Sequence, residues 1–221
     1  MKIAVLGTGA VGTTVASKLV QLGHDVTLGS RSDRNENGLS WVKQAATPRA
    51  TLATFERAAR SAEMIFNATK GEIALDVLQL AGATNLENKI LIDISNPLDF
   101  SRGMPPRLSV CNDSSLGEQI QATFPRAKVV KTLNTVTASL MVAPQSLSAD
   151  SAVFLSGNDT TAKQTVERLV LREWFGWKQV IDLGDITTAR GTEMYLSLWV
   201  RLWSAQKSAN FNIAIIQGHD A

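Results

Sequence analysis

Three glycines near the start of the chain lie between a predicted strand and a predicted helix. Gly7, Gly9 and Gly12 follow a short apolar run, Lys2 to Leu6, which is rich in β-forming residues and too short for a helix. Apolar residues then recur at helical spacing until Gly23. In such a unit the first glycine permits a tight turn, the second lets a pyrophosphate approach the backbone, and the third allows close helix–strand packing. The spacing predicts a dinucleotide site; a glycine turn kept only for packing is the alternative.

The residues after the second predicted strand, Asp25 to Leu28, favour NADP over NAD. An NAD site usually places Asp or Glu at this strand tip, where it accepts hydrogen bonds from the ribose hydroxyls. This chain has Ser30 and Arg31 there, and Asp33 comes too late to be the usual ribose ligand. Arg31 can pair with a 2′-phosphate through two hydrogen bonds or stack on the adenine, and Ser30 can donate to the same oxygens. We therefore expect NADP(H); a solvated polar loop is the alternative.

Polar side chains also follow three later predicted strands. Ligands of doubly wound sheets bind outside the carboxyl ends of the strands, so we expect these residues to face the cofactor or an acceptor molecule. Thr69 and Lys70 could equally cap the helix that follows them. The cofactor-side candidates are Asn67, Ala68 and Thr69, and the acceptor-side candidates are Lys70, Asn96, Pro97, Asn134 and Thr135.

Six predicted strands alternate with helices over residues 1–137, as in a complete two-half Rossmann sheet. Within this part, residues 99–113 are predicted to be a loop without secondary structure. The pattern predicts an α/β fold, with a doubly wound, mostly parallel sheet and helices on both faces. We assign residues 1–137 to an NADP-binding domain.

The remaining residues, 138–221, predict a small α/β extension that ends in a long helix. Strands are expected at Ala152 to Ser156 and Lys178 to Asp182, with a helix at Thr160 to Leu171 between them. The closing helix is predicted over Thr187 to Gln217, and its middle is apolar around much of its circumference. A chain with so short an extension can cover only one face of such a helix, so we expect a homodimer; a helix folded back on its own sheet is the alternative.

Composition excludes several classes of function. A net charge of +2, with basic residues scattered along the chain, does not indicate a protein that binds nucleic acid. The single cysteine, Cys111, excludes an internal disulfide framework and a cysteine-based zinc site, and His24 and His219 are too few for a histidine-rich metal centre. No apolar run is long enough for a membrane span, and the first strand begins at the N-terminus, so we expect a cytoplasmic protein without a signal peptide.

Groups for acid–base or nucleophilic catalysis are scarce. The chain has no Ser/His/Asp set, no Tyr-x-x-x-Lys pair and no cysteine with a partner, and its one tyrosine, Tyr195, lies in the apolar helix. Hydride transfer between two stacked rings depends above all on positioning, which such a chain can supply. Three hypotheses follow: an NADPH-dependent oxidoreductase with a planar acceptor, an NADP-binding sensor or accessory module without turnover, and a small carbonyl or imine reductase.

Several of these motifs together resemble a known family. They are the glycine turn, the Gly29-Ser30-Arg31 tip, the stretch Lys131 to Thr135, the Ser156 to Asp159 turn and the Asp182 to Asp185 turn. The chain resembles the NADP oxidoreductases that depend on the deazaflavin coenzyme F-420, over nearly its whole length. The nucleotide domain of the membrane ferric reductases is similar.

The resemblance implies roles for particular residues. It places Thr8, Gly9, Ala10 and Val11 on the pyrophosphate, and Ser30 and Arg31 on the 2′-phosphate with Arg34 as a helper. It implies a deazaflavin, or another flavin, as co-substrate over the nicotinamide, near the ends of the fourth, fifth and sixth strands. It also implies a dimer formed through the C-terminal part, so that residues 138–221 would carry the acceptor site and the dimer contacts.

Overall fold

A short apolar strand, β1 (Lys2–Leu6), lies inside the sheet with its last four residues buried. The computed structural model describes residues 1–218. The further strands are β2 (Asp25–Ser30), β3 (Ala50–Thr54), β4 (Met64–Asn67), β5 (Ile90–Asp93), β6 (Leu98–Asp99), β7 (Arg107–Leu108), β8 (Lys128–Thr132), β9 (Ala152–Ser156) and β10 (Gln179–Asp182).

The strands are connected by helices of four to twelve residues. The α-helices are α1 (Ala10–Gln21), α2 (Glu36–Ala45), α3 (Phe55–Ser61), α4 (Ala74–Ala81), α5 (Ala83–Leu86), α6 (Leu116–Thr123), α7 (Ala138–Val142), α8 (Thr160–Thr165), α9 (Ala189–Met194) and α10 (Leu196–Gln206). Single 3₁₀ turns lie at Gly71–Ile73, Pro144–Ser146 and Ile186–Thr188, and a π-helix, Val166–Trp174, continues α8.

The main sheet has eight strands in the order β3-β2-β1-β4-β5-β8-β9-β10. The six strands from β3 to β8 are parallel to one another, in the order of a complete Rossmann sheet. Connections leave β1 and β4 in opposite directions, so a crevice opens between their carboxyl ends. The predicted fold class, a doubly wound and mostly parallel α/β sheet, is confirmed.

Apolar side chains cover both faces of the sheet. One core packs α1, α2, α7 and the π-helix against one face. A second core packs α3, α4, α6 and α9 against the other face. A parallel strand between two such layers is buried on both sides, which is why the Met64–Asn67 run contains no alternation of apolar and polar residues.

The two strands of the C-terminal segment continue the same sheet. β9 lies antiparallel to β8, with Thr132 opposite Leu155, and β10 pairs in parallel with β9. The crossover between them begins as α8 and ends as the π-helix at Trp174, beyond the predicted helix end at Leu171. The predicted βαβ unit is therefore present, and it adds two strands to the Rossmann sheet.

The prediction of a structureless loop over residues 99–113 is wrong. β6 and β7 form an antiparallel hairpin in which Leu98 lies opposite Leu108 and Asp99 opposite Arg107. Strands of two residues are too short to produce a recognisable alternation of apolar and polar residues, so the sequence pattern could not indicate them.

The predicted closing helix, 187–217, is shorter than expected and interrupted. α9 and α10 are separated at Tyr195, and α10 ends where Lys207 adopts φ +54°. The residues after this helix, 208–218, form a tail that returns to the start of β9. There the Ala152 N–H donates to the Ile213 carbonyl at 3.0 Å. Within this tail a serine hydroxyl accepts an asparagine backbone N–H at 3.1 Å, a local bond that competes with helix formation. No helix within residues 1–218 is long and apolar enough to cross a membrane.

A buried ammonium group joins the C-terminal segment to the sheet. Lys131 Nζ, at the end of β8, lies 2.7 Å from Asp93 Oδ2 on β5 and 2.8 Å from Glu193 Oε1 on α9. Its third contact is the Ser95 carbonyl oxygen, 2.5 Å away. The three charged side chains are at most 1% exposed, so every ammonium proton is satisfied inside the protein.

Glu193 also holds the start of helix α6. Its carboxylate accepts the backbone N–H groups of Leu116 at 2.7 Å and Gly117 at 3.0 Å, which have no partners within the helix. Arg190 strengthens the same contact by donating twice to the Glu118 carboxylate, at 2.8 and 2.6 Å. α9 is therefore fixed both to α6 and to the end of β8.

The charged state of Lys131 is favoured by folding. Burial alone lowers the pKa of Lys131, but the neighbouring carboxylates of Asp93 and Glu193 outweigh burial and raise it above the ordinary value of 10.5. A lysine pKa raised by folding contributes stability that is fully present below the unfolded-state pKa. That contribution is lost as the pH rises through the folded-state pKa, in the strongly alkaline range.

Replacing Lys131 with Met should lower the free energy of unfolding by about 3–5 kcal/mol, because two buried carboxylates lose their counter-ion. Lys128→Met is the matched control in the same strand. Its half-exposed ion pair with Asp159 spans 3.2 Å and should contribute about 0–1 kcal/mol. Urea unfolding at neutral pH measures both variants, and equal losses would contradict the account of the buried cluster.

Candidate functional site

The glycine turn leaves open space in front of helix α1. Gly7 adopts φ +116°, and a Cβ atom there would lie 2.6 Å from the Ala68 carbonyl oxygen. A Cβ atom at Gly12 would lie 2.1 Å from the Gly7 carbonyl oxygen, so the packing of the chain requires glycine at both positions. A Cβ atom at Gly9 would meet no atom of residues 1–218 within 4 Å. The space beside Gly9 can therefore admit a ligand.

The N-terminus of α1 faces this space without a carboxylate. Gly9 is the N-cap residue and offers no side chain, and the first turn contains no acidic residue. Thr8, Ala10 and Val11 are exposed or half-buried. The first N–H groups of a helix lack partners within the helix and carry positive partial charge, so this end attracts phosphate.

Two arginines extend from the loop after β2, as the sequence predicted. Arg31 and Arg34 are exposed, and within residues 1–218 neither guanidinium forms an ion pair. The nearby carboxylate of Asp33 pairs instead with Arg57, at 3.7 Å. Both arginines therefore keep their hydrogen-bond donors for a ligand, and the fixed fork of each group suits a phosphate.

Ser30 is the last residue of β2, directly before this loop, and its hydroxyl is not free to bind a phosphate as predicted. It is buried, its hydroxyl donates to the Ser32 carbonyl, and the same oxygen accepts the Ser32 N–H at 3.2 Å. These contacts stabilise the turn that carries Arg31. A hydrogen bond from Ser30 to a phosphate would require the hydroxyl to leave its present acceptor.

A cleft of about 380 Å³ lies at the carboxyl ends of β4, β5 and β8, beside the start of α1. The structure brings together seven of the residues that the sequence predicted for the site: Ala10, Val11, Ala68, Thr69, Lys70, Asn96 and Asn134. The other lining residues are Gly71, Glu72, Ile94, Ser95, Leu98, Phe100, Val136, Thr137, Ala138, Met141, Leu196 and Trp199.

Of the eight residues predicted at the strand ends, three do not line this cleft. Asn67 is fully buried, and its carboxamide donates to Asp93 Oδ1 at 2.8 Å and accepts from the Thr69 hydroxyl at 2.7 Å. Pro97 lies at the base of the hairpin, where its carbonyl accepts a backbone N–H at 2.8 Å. Thr135 is buried, and its hydroxyl has no partner within residues 1–218. Although Asn67 does not reach the cleft, its hydrogen bond with the Thr69 hydroxyl orients Thr69, which does line the cleft.

Asn96 and Asn134 hold each other across the floor of the cleft. The Asn96 side chain donates to the Asn134 carbonyl at 2.9 Å, and the Asn134 side chain donates to Asn96 Oδ1 at 3.0 Å. The preceding residue, Leu133, is buried in a left-handed conformation with φ +62°. Such conformations cost energy and occur where the surroundings enforce them, often beside functional sites.

The C-terminal segment supplies one wall of the cleft. Leu196 and Trp199 of α10 line it, and the Trp199 indole stacks on Phe211 of the tail, with ring centroids 5.4 Å apart and 28° between the planes. Phe100, from the hairpin, contributes a further aromatic side chain to the lining. These residues form flat apolar surfaces beside the polar side chains at the strand ends.

Sequence reasoning missed the charged cluster beneath this cleft. Asp93 and Glu193 were not singled out, and Lys131 was given no role of its own. A signal did exist for two of them, because Asp93 ends an otherwise apolar strand and Lys131 follows two valines in a strand of the same sheet. Glu193 comes 62 positions after Lys131 along the chain, and no local pattern could indicate their contact.

The described residues offer little else for catalysis. Within residues 1–218, no group of three or more His, Cys, Asp or Glu side chains could hold a metal ion, and His219 lies outside the described part of the chain. Burial raises the pKa of Tyr195, and its hydroxyl has no partner in the described structure. Tyr195 does not line the cleft.

Comparison with known proteins identifies relatives of this chain. The sequence profile of the family described as NADP oxidoreductase, coenzyme F420-dependent, matches residues 2–97. A solved structure of a candidate F420-dependent NADP-reductase from Arthrobacter sp. FB24 is 53% identical, with a TM-score of 0.92 and coverage of 98% of this chain and 100% of that one.

Two further relatives are less similar to this chain in sequence. Metalloreductase STEAP3 of Rattus norvegicus is 30% identical over 194 residues, which are 87% of this chain and 36% of that protein, so this chain spans about a third of its length. An imine reductase from Bacillus cereus, 16% identical with a TM-score of 0.63 over 93% of this chain and 62% of that one, shares the fold.

The Arthrobacter protein aligns along its full length at more than half identity, and the family profile covers the glycine turn and the arginine-bearing loop. The chain therefore belongs to the family of coenzyme F420-dependent NADP oxidoreductases.

Proposed function

We propose that this protein transfers hydride between NADP(H) and a planar acceptor, such as a deazaflavin or flavin, that binds in the cleft. The observation that carries this proposal is the open space at Gly9, where packing does not require glycine. Ala10 and Val11, the next two residues, line the cleft, so the phosphate-binding turn and the cleft share a border.

The chain's own groups account for binding of the cofactor. Backbone N–H groups at the start of α1 hold the pyrophosphate, and Arg31 and Arg34 pair with the 2′-phosphate. Thr69 and Asn134 present polar groups at the strand ends, where the nicotinamide and ribose require hydrogen-bonding partners. The bound nicotinamide supplies the hydride, and the residues around it supply its position.

The composition of the cleft favours a planar acceptor over a small carbonyl or imine substrate. Lys70 and Glu72 are the ionisable side chains that line it, and they pair with each other at 3.9 Å. The Lys70 side chain is 81% exposed, so it is poorly placed to deliver a proton inside the cleft. The apolar walls around Trp199 can instead align one ring over another and exclude water, which is what hydride transfer requires.

We also propose that the protein forms a homodimer through α9 and α10. Leu196 and Val200 are buried against the rest of the chain, whereas Met194, Leu198 and Trp203 are 37%, 54% and 40% exposed. Exposed apolar side chains on one helical segment are typical of an interface, and two-fold dimers are the commonest closed assembly. The wall of the cleft would then lie next to the dimer contact.

Mixing the protein with NADPH and a panel of deazaflavins, flavins and quinones should give oxidation of NADPH with at least one planar acceptor. Loss of absorbance at the nicotinamide band measures the reaction. Small ketones and imines, offered in the same assay, should give little or none. Turnover with the ketones or imines alone would overturn the assignment of a planar acceptor, and binding without any turnover would favour the sensor hypothesis.

Arg31→Ala should weaken NADPH binding by roughly 30- to 150-fold, because a charge-assisted contact with the 2′-phosphate is lost, and should leave NADH binding nearly unchanged. Arg168→Ala is the control, since Arg168 is also exposed and belongs to the distant π-helix. Titration of each variant with both nucleotides measures the effect. Equal affinity of the unaltered protein for NADPH and NADH would contradict the assignment.

Leu198→Glu combined with Trp203→Glu should convert a dimer into monomers, because two buried charges would face each other across the interface. Trp199 is left intact in this variant, since it packs on Phe211 inside the subunit. Light scattering at micromolar concentration gives the mass. A monodisperse monomer before substitution would end the dimer proposal.

A further inference from the structure

We propose that the buried cluster of Asp93, Lys131 and Glu193 favours the oxidised form of the bound nicotinamide and so makes bound NADPH a stronger hydride donor. This inference rests on the proposed binding of NADP(H) beside the cleft. It concerns residues that do not touch the cofactor pocket directly and act through the side chains that line it.

The cluster contains more negative than positive charge. Asp93 Oδ1 accepts the Asn67 amide at 2.8 Å and the Ser95 hydroxyl at 2.6 Å, while Oδ2 accepts the Lys131 ammonium at 2.7 Å. Glu193 accepts two backbone N–H groups and the same ammonium. Every carboxylate oxygen of the two residues accepts at least one hydrogen bond, and none of them donates. The cluster therefore contains two negative charges and one positive charge.

The remaining negative charge is only partly offset. The N-terminus of α6, which Glu193 caps, carries a partial charge of about +0.5. About half of the excess negative charge therefore remains in the cluster. Its three side chains are at most 1% exposed, so water screens the excess poorly.

The cluster lies one residue away from the cleft. Ser95 lines the cleft and bonds to both ends of the pair beneath it, through its hydroxyl to Asp93 and its carbonyl to Lys131. A second path runs from Thr69, which also lines the cleft, through Asn67 to Asp93. Because the charge of the cluster is buried, its electrostatic interaction with a ligand in the cleft is only weakly screened by water.

A nicotinamide ring is positively charged when oxidised and neutral when reduced. A buried negative charge nearby therefore stabilises NADP⁺ relative to NADPH, and it does so more strongly than an exposed charge would. Removal of one carboxylate charge, at a distance on the order of 10 Å and an effective dielectric constant of about 20, should change the preference roughly tenfold.

Glu193→Gln and Asp93→Asn each remove one negative charge while keeping the shape of the side chain. Isothermal titration of the full chain gives the dissociation constants of NADP⁺ and NADPH. For each variant the ratio Kd(NADP⁺)/Kd(NADPH) should rise roughly tenfold, equivalent to about 30 mV in the potential of the bound couple. Glu118→Gln is the control, because it removes a carboxylate from the same α6–α9 contact but lies outside the cluster, and its ratio should not change.

The outcomes separate this inference from the function on which it rests. Failure of the unaltered protein to bind either nucleotide would overturn the proposed function itself. Equal weakening of both nucleotides in Glu193→Gln and Asp93→Asn would show a structural role only and would overturn the electrostatic one. If neither variant folds, the potential of the couple bound to the unaltered protein decides: a value below that of free NADP(H) supports the inference, and an equal or higher value contradicts it.

Discussion

Contact between backbone and backbone at the glycine turn is the constraint on which the site depends. The Gly7 carbonyl lies where a side chain on Gly12 would have to be, and the Ala68 carbonyl closes on Gly7 from the neighbouring strand end. These contacts fix the start of α1 against the ends of β1 and β4. The phosphate-attracting end of the helix and the cleft are thereby held in one arrangement, and Gly9 alone among the three glycines faces open space.

The second organising feature is the way in which the C-terminal segment reaches the site. Glu193 binds both the Lys131 ammonium and the first N–H groups of α6, so a single carboxylate joins α9 to strand β8 of the sheet and to helix α6. From that anchor, α10 carries Leu196 and Trp199 into the wall of the cleft. The segment thus supplies one wall of the cleft.

Features encoded by local pattern were predictable from the sequence. The glycine spacing and the apolar strand runs predicted the Rossmann order, and together with the polar strand ends they predicted seven of the nineteen residues that line the cleft. Features that depend on distant contacts were not: the capping of α6 by Glu193 and the return of the tail onto Trp199. The Ser30 hydroxyl bonds to Ser32, only two residues away, but residue type alone does not say whether a serine at a strand end bonds its own turn or a ligand. The two-residue hairpin strands were missed for a different reason, since they are shorter than any detectable period.

Nucleotide binding to Gly9→Val tests most directly whether the space beside Gly9 holds the pyrophosphate of NADP(H). Gly191→Val is the matched control, because a Cβ atom at either position meets no described atom within 4 Å and neither residue has a positive φ. Calorimetric titration with NADPH, together with urea unfolding to verify the fold, should show loss of binding in Gly9→Val at near-normal stability and normal binding in Gly191→Val. Wild-type affinity for NADPH in a folded Gly9→Val protein would contradict the account.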